Sequence, residues 1–501
     1  MRDAVVVGSG PNGLAAAWTL ASAGLDVEVL EGADTLGGGT RSAALTVPGV
    51  VHDVCSAAHP LAAAAPFFAP GGGPDGSGFD LQAHGVRLLQ PEIPLAHAMA
   101  GDRFAVLHRR VDDTVVDLDD LHPGDGQRWR RVVGPLVDDA RTLTDALTSR
   151  LRGVPADPAA LVTLARFGLA IAGGPRVFAA RFRGSAPAAL LTGSAAHTAQ
   201  RLEHPVAATA PAAAGMLLTV LGQAVGWPVV EGGSQGIADA VVADLRRRGA
   251  TVRTGAWVRD LRDLPPARAV LLDLSPAQLD TLGGDRLPAS YRRALRRYRY
   301  GPGASTLHVV TSEPIPWADP RARRAGTVHL GGPAAEVAHA EAQVADGRHA
   351  DEPFVLLVQP SVVDASRAPA GLHPVWAYCH VPPGSDVDVT ATILRRIERY
   401  APGFRDTVVA THVRTAAQLA RDNPVHVGGD VAVGATSLWQ VLARPVPRWD
   451  PYRTPLPGVW LCSSATPPGP GVHGMCGVHA ARSVLRSLGP SSGRSRGRSR
   501  K

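Results

Sequence analysis

The chain opens on a short β-branched run, Ala4-Val5-Val6-Val7, that gives way at once to Gly8-Ser9-Gly10-Pro11-Asn12-Gly13. The next stretch, 14–23, is rich in Ala and Leu, which predicts a helix ended by Gly24. Val27 to Leu30 predicts a second strand, closed by the acidic Glu31. The same alternation returns later. Residues 236–248 predict a helix with Ile237, Val241, Val242 and Leu245 on one face. Thr251-Val252-Arg253, Ala256-Trp257-Val258 and Val270-Leu271-Leu272 predict strands, and Val459 to Cys462 predicts a last strand leading into a helix over 477–488. The longest apolar run, 206–230, holds Pro211, Gln223 and Pro228 and has no charged belt, so it predicts a buried helix lining a cavity rather than a membrane span. The Ala- and Leu-rich stretches 159–172 and 206–225 fit the wall of an apolar tunnel and ordinary core equally well.

Composition narrows the classes. A chain of 501 residues exceeds what one hydrophobic core serves, which predicts two or three packed units. With 45% hydrophobic and 19% charged residues it reads as globular. The formal net charge of +7 comes mostly from Arg494, Arg496, Arg498, Arg500 and Lys501 in a tail, 490–501, that is polar, repetitive and expected to be disordered. The body therefore gives no sign of a nucleic-acid partner. Lys501 is the only lysine, which removes Schiff-base and phosphate-loop lysine chemistry from the body. Cys55, Cys379, Cys462 and Cys476 form no C-x-x-C and no zinc-ligand spacing, so a reducing compartment and no structural metal are expected. The apolar run after Met1-Arg2-Asp3 ends at Val7, too short for a secretory leader. A cytoplasmic protein, with peripheral membrane contact left open, is the expectation.

The opening carries the chemistry. Gly8-x-Gly10-x-x-Gly13 follows a buried strand, opens a helix at Leu14 and precedes a strand ending in Glu31, 18 residues beyond Gly13. Glycines allow backbone to approach a pyrophosphate, Pro11 and Asn12 begin a helix whose free N–H groups face it, and Glu31 is placed for ribose hydroxyls. A second cluster, Gly37-Gly38-Gly39-Thr40-Arg41, brings another loop to the dinucleotide, with Arg41 able to pair with phosphate. This resembles the FAD motif of the glutathione-reductase type. The fold class expected is α/β: a Rossmann-type FAD-binding domain built from the discontinuous segments 1–60, 230–300 and 441–489, plus an α+β substrate domain from 61–229 and 301–440. No second strand–GxGxxG–helix unit occurs, so the electron acceptor, oxygen or a quinone among the options, is not a nicotinamide held in its own domain.

Segments along nearly the whole chain resemble the phytoene-desaturase-related family of FAD-dependent oxidoreductases, within the amine-oxidase-like group. They are VVVGSGPNGLAAA at 5–17, HDVCSAAHPLAAAAPFF at 52–68, GWPVVEGGSQGIADA at 226–240, RYGPGASTLHV at 299–309, PFVLLVQPS at 353–361, WAYCHVP at 376–382 and PRWDPYRTPLPGVWLCSSATPPGPGVHGMCGVHAAR at 447–482. The resemblance implies FAD held by the first and last segments, with Val258 offering backbone contacts to the adenine. It also implies a turn containing Gly471, Val472, His473, Gly474 and Met475 against the isoalloxazine. The chain departs from the pattern after Tyr300-Gly301-Pro302-Gly303, where Ala304 to His308 carry no lysine. Amine oxidation through a lysine near the flavin is thereby disfavoured.

In flavin enzymes the ring takes the hydride and the protein supplies orientation and an acid or base. Candidates for that group are His59, His197, His308, His380 and His473, with His473 favoured for its place in the flavin-facing turn and His308 next. On this reading an alanine at 473 slows flavin reduction and leaves FAD bound. Each of these histidines also fits a structural, hydrogen-bonded role, and Tyr378 fits a core aromatic. Cys462 and Cys476 fit buried thiols better than a redox pair. The function expected is dehydrogenation of an apolar, isoprenoid- or lipid-like small molecule by hydride transfer to FAD. Flavin-dependent, non-redox isomerisation of a polyene and a non-catalytic flavin-binding scaffold are the alternatives.

Overall fold

The computed structural model describes residues 1–71, 78–149 and 157–489; the tail 490–501 lies outside them. Strand Arg2–Val7 sits in the middle of a five-stranded parallel sheet ordered Val459–Leu461, Ala267–Leu272, Arg2–Val7, Val27–Leu30, Thr251–Arg253. Its two faces are both covered, which is why the opening run is continuously apolar rather than alternating. Helix Pro11–Ser22 packs between helices Gln235–Arg247 and Met475–Leu488. The second of these contacts is so close that a Cβ on Gly477 would lie 1.9 Å from the Asn12 carbonyl oxygen. On the other side the Trp18 indole donates to the Asp244 carboxylate at 2.7 Å.

The expected strand over 256–258 is not one. Gly255 takes a left-handed conformation (φ 62°), so the chain turns out of the sheet after Arg253 and keeps two bonds, from the Gly255 N–H to the Ala33 carbonyl at 3.0 Å and from the Ala256 N–H to the Glu31 carbonyl at 2.8 Å. The segment becomes a loop at the sheet's edge.

The second sheet has seven strands, ordered Val408–Arg414, Gly303–Thr311, His373–Val381, Val355–Val358, Ala325–Leu330, Ile93–Ala98, Phe104–Leu107. Every pair is antiparallel except Ile93–Ala98 with Ala325–Leu330. Its two faces differ in chemistry, as the period of two requires. One face, with Leu307, Val309, Val328, Leu357, Val375 and Ala377, forms an apolar core with Trp317 and Phe404. The register sets Thr306 beside Tyr378, His308 beside Trp376, and His97 beside His329 on the opposite face. That face is covered by helices Ala186–Ala196 and Thr209–Ala224, which approach closely because Gly215 has no side chain to place against Ala195.

Helix Thr209–Ala224 is the buried helix expected within 206–230, and it does line a cavity, through Ala210, Ala213, Leu217 and Leu218. Helix Pro158–Ile171 reaches the cavity only at Ile171. Among the described residues no helix is long and apolar enough to cross a membrane. A buried ionic knot ties together segments outside the two large sheets. The Arg367 guanidinium donates to Asp53 at 2.7 Å, to Asp364 at 2.9 Å and to the Val230 carbonyl at 2.8 Å.

Candidate dinucleotide and substrate site

At the end of the first strand Gly8 (φ 98°) turns the chain, and its N–H donates to the Leu30 carbonyl at 2.8 Å. The next residue, Ser9, does what the glycine pattern did not reveal. Its N–H and hydroxyl both donate to one oxygen of Glu31, at 2.8 and 2.6 Å, while the hydroxyl accepts the Gly37 N–H at 3.1 Å. The other oxygen of Glu31 accepts the Ala33 N–H at 2.9 Å. One serine thus ties the two glycine loops and the acidic residue together. The loops also meet directly, since a Cβ on Gly38 would lie 2.9 Å from the Gly10 Cα.

Helix Pro11–Ser22 has no side-chain cap from Gly10, and Pro11 brings no N–H, so its first turn offers the N–H groups of Asn12 and Gly13. Asp273, at the end of the neighbouring strand, reaches into this turn and accepts the Gly13 N–H at 3.0 Å. Burial, reinforced by the charge of Glu31, pushes its carboxyl up to about 6.

One cavity of about 1140 Å³ runs past these residues. Gly8, Gly10, Pro11, Asn12 and Glu31 line it from the first loop, and Gly38, Gly39 and Arg41 from the second. Val258 lines it beside Trp257, and Gly471 and Val472 line it from the last segment. Six expected contacts stand behind this wall instead, His473 among them. Gly13 packs on the Gly8 carbonyl, where a Cβ would come within 2.3 Å, and Leu14 is in the core. The buried Thr40 hydroxyl donates to the Gly37 carbonyl at 2.8 Å and shapes the loop. Gly474 is wedged against Phe67 and Ala15, and Met475 is in the core. Arg41 is on the wall, with its Nε donating to the Gly38 carbonyl at 3.0 Å. The cradle fits FAD: two glycine loops in contact, a helix start beside them, a carboxylate held at the strand end and an arginine alongside.

The two favoured catalytic histidines are corrected by their surroundings. His473 is buried; its Nε2 donates to the Gly469 carbonyl at 3.1 Å and its Nδ1 accepts the Met475 N–H at 3.0 Å. Both nitrogens are spent on shaping the turn, and burial holds the ring down at about 4. His308 is pinned between the carbonyls of Asp53 (3.1 Å) and His412 (3.3 Å), and burial lowers it to about 3. Neither lines the cavity. His380 is paired with Glu341 at 2.9 Å. Of the candidate histidines, those that do reach the wall are His59, bonded to the Ser234 hydroxyl at 2.7 Å, and His197, bonded to His329 at 3.0 Å.

Beyond the glycine loops the wall is apolar, formed by Ala213, Leu217, Leu218, Trp227, Leu356 and Trp376. Within it the Thr306 and Thr327 hydroxyls and the Trp376 indole N–H are buried with no hydrogen-bond partner in the protein. All four cysteines are free thiols, and Cys55 lies on the wall.

A parallel sheet carrying this cradle, set against a mainly antiparallel sheet with an apolar cavity between, is the fold of FAD-type oxidoreductases. The comparisons agree. Residues 6–66 match the family model of the NAD(P)-binding Rossmann-like domain. The chain is 28% identical over 301 residues, 52% of each chain, to pyridine nucleotide-disulfide oxidoreductase domain-containing protein 2 of Mus musculus. The match thus spans about half the length of that relative. Over nearly the whole chain the fold resembles an oxidoreductase from Methanosarcina mazei (TM-score 0.62, 15% identity, covering 96% of this chain and 100% of that one). It likewise resembles cyclohexylamine oxidase from Brevibacterium oxydans (TM-score 0.58, 15% identity, 97% and 99%).

Proposed function

We propose that the protein is an FAD-dependent oxidoreductase that dehydrogenates an apolar, isoprenoid- or lipid-like small molecule. The observation that carries this reading is the continuity of the cavity. One space of about 1140 Å³ touches the glycine cradle at one end and the apolar face under helix Thr209–Ala224 at the other. That lies just above the roughly 300–1,000 Å³ of a pocket for one small ligand.

Glu31 would hold the ribose hydroxyls, and the start of helix Pro11–Ser22 would hold the pyrophosphate with Arg41. Val258 would meet the adenine through its backbone, and Gly471 and Val472 would lie along the ring. FAD supplies the two-electron acceptor that no side chain offers. The wall residues bind and orient the apolar body and exclude water. The absence of lysine before position 501 favours this chemistry over amine oxidation through a flavin-side lysine. With one glycine cradle in the sequence, reoxidation falls to an acceptor such as oxygen or a quinone.

The test is anaerobic mixing of FAD-loaded protein with a panel of apolar polyenes and long-chain lipids while following flavin absorbance. Bleaching by a member of the panel, with a dehydrogenated product, is the expected result. An unbleached flavin across the panel contradicts the reading.

A further inference from the structure

The loop that leaves the parallel sheet after Arg253 carries an indole to the cavity. Two bonds pin that loop to the residues after the second strand, from the Gly255 N–H to the Ala33 carbonyl and from the Ala256 N–H to the Glu31 carbonyl. Trp257 comes next, and its ring is seated on Gly32. A Cβ on Gly32 would lie 2.1, 2.7 and 3.0 Å from Cε3, Cζ3 and Cδ2 of the indole. Only a glycine leaves room for the ring in that place. The indole is thereby fixed one residue beyond Glu31.

Trp129, Trp227, Trp317 and Trp460 are fully buried, whereas Trp257 is 52% exposed. Trp257 also lines the cavity, together with Ala33, Val258, Leu274, Ala277 and Leu282. Val258, Leu274 and Leu282 belong to one apolar cluster with Leu30, the residue before Glu31. The cavity beside the Glu31 carboxylate is therefore walled by aliphatic side chains and one aromatic ring. A ribose held at Glu31 has its base one glycosidic bond away. A purine is flat and stacks on an aromatic ring, and such stacking contributes about 1–3 kcal/mol per base.

We propose that Trp257 is an adenine-stacking residue, whose indole, seated on Gly32, covers one face of the purine beside the Val258 backbone. The inference rests on the reading of the glycine cradle as the FAD site. It goes beyond that reading in assigning part of the affinity to an apolar contact with the base, so an adenine nucleotide without a flavin should also enter this end of the cavity.

The test uses the full-length protein freed of cofactor. Trp257→Ala should raise the FAD dissociation constant about ten-fold. Trp257→Phe should stay within about three-fold of the wild type, since a phenyl ring keeps a stacking face. The melting temperature of the cofactor-free protein should not move, because a half-exposed side chain supports little of the fold. The emission difference between wild type and Trp257→Phe isolates Trp257. ADP, which carries adenine but no flavin to accept energy, should quench that difference. An unchanged FAD affinity in Trp257→Ala, or a Phe variant as weak as the Ala variant, overturns the proposal. So does a loss of affinity that comes with a lower melting temperature, or an emission difference that ADP leaves unchanged. Wild type that takes up FAD no better than Trp257→Ala loses only the stacking claim. Wild type that takes up neither FAD nor ADP loses the dinucleotide reading with it.

Discussion

The Asp273 carboxylate accepts the backbone N–H of Gly13 at 3.0 Å, inside the turn where the dinucleotide's phosphates would come to rest. A carboxylate and a pyrophosphate compete for the same donors and repel each other. The carboxyl sits at about 6 in the fold, above its ordinary value of 3.8, so the fold disfavours its ionised form. This group accordingly costs no stability below about pH 4 and an increasing amount as pH rises through 6. FAD affinity should follow the same direction, weakening several-fold between pH 5 and 7.5. Asp273→Asn should bind FAD more tightly at pH 7.5 and flatten the profile. Fluorescence titration of FAD across that range checks it; an unchanged slope in the variant contradicts it.

Glu31 already accepts three hydrogen bonds, from the Ser9 N–H, the Ser9 hydroxyl and the Ala33 N–H. Glu31→Ala removes both the ribose acceptor and the anchor of the Ser9 turn. FAD affinity should fall by about 10- to 100-fold, corresponding to ~1.4–2.8 kcal/mol, as read by equilibrium dialysis.

A methyl group at position 477 would collide with the Asn12 carbonyl oxygen at 1.9 Å and with the Ala16 nitrogen at 2.8 Å. Both are main-chain atoms of a helix that forms the cradle, so neither can swing aside. Gly477→Ala should cost ~1–3 kcal/mol and lower the melting temperature measured by circular dichroism.

His473→Ala should act through the turn and not through proton transfer. It leaves the Met475 N–H without its partner and the Gly469 carbonyl with only the Cys476 thiol, so FAD should be held less tightly and the fold weakened by ~1–3 kcal/mol. The pH profile of flavin reduction should keep its shape. A profile that loses one limb would restore the ring as an acid or base.

Arg367 is buried with Asp53 and Asp364. Arg367→Met strands two buried carboxylates, and urea unfolding should show a loss of ~3–5 kcal/mol.

What could be read in advance follows from how far apart the interacting residues lie in the chain. Gly8, Gly10 and Glu31 are neighbours along one strand–helix–strand unit, so spacing alone placed them on the cavity. Ser9 stood in an unconstrained position of that motif, and only the folded turn shows its hydroxyl bridging Glu31 and Gly37. Asp273 comes from a strand 260 positions beyond Gly13. The one available signal was an acidic residue closing the apolar run Val270-Leu271-Leu272. The lost strand at 256–258 turned on Gly255, whose left-handed backbone a hydrophobic pattern does not register. His308 and His473 were chosen for the segments they sit in, and no sequence rule shows that main-chain groups would occupy both nitrogens of each. His97, His197 and His329 come from separate elements with no motif spacing. For the strand residue His329 the trace is a polar residue at every second position of a strongly β-forming run, as in Gly326-Thr327-Val328-His329.

The central claim is that the cradle around Gly10, Gly38 and Glu31 holds FAD. Denaturing the purified protein and identifying the released chromophore by absorbance and mass tests it most directly. Release of FAD, close to one per chain either as purified or after incubation with added FAD, is the result predicted. A colourless protein that takes up no FAD would contradict the account.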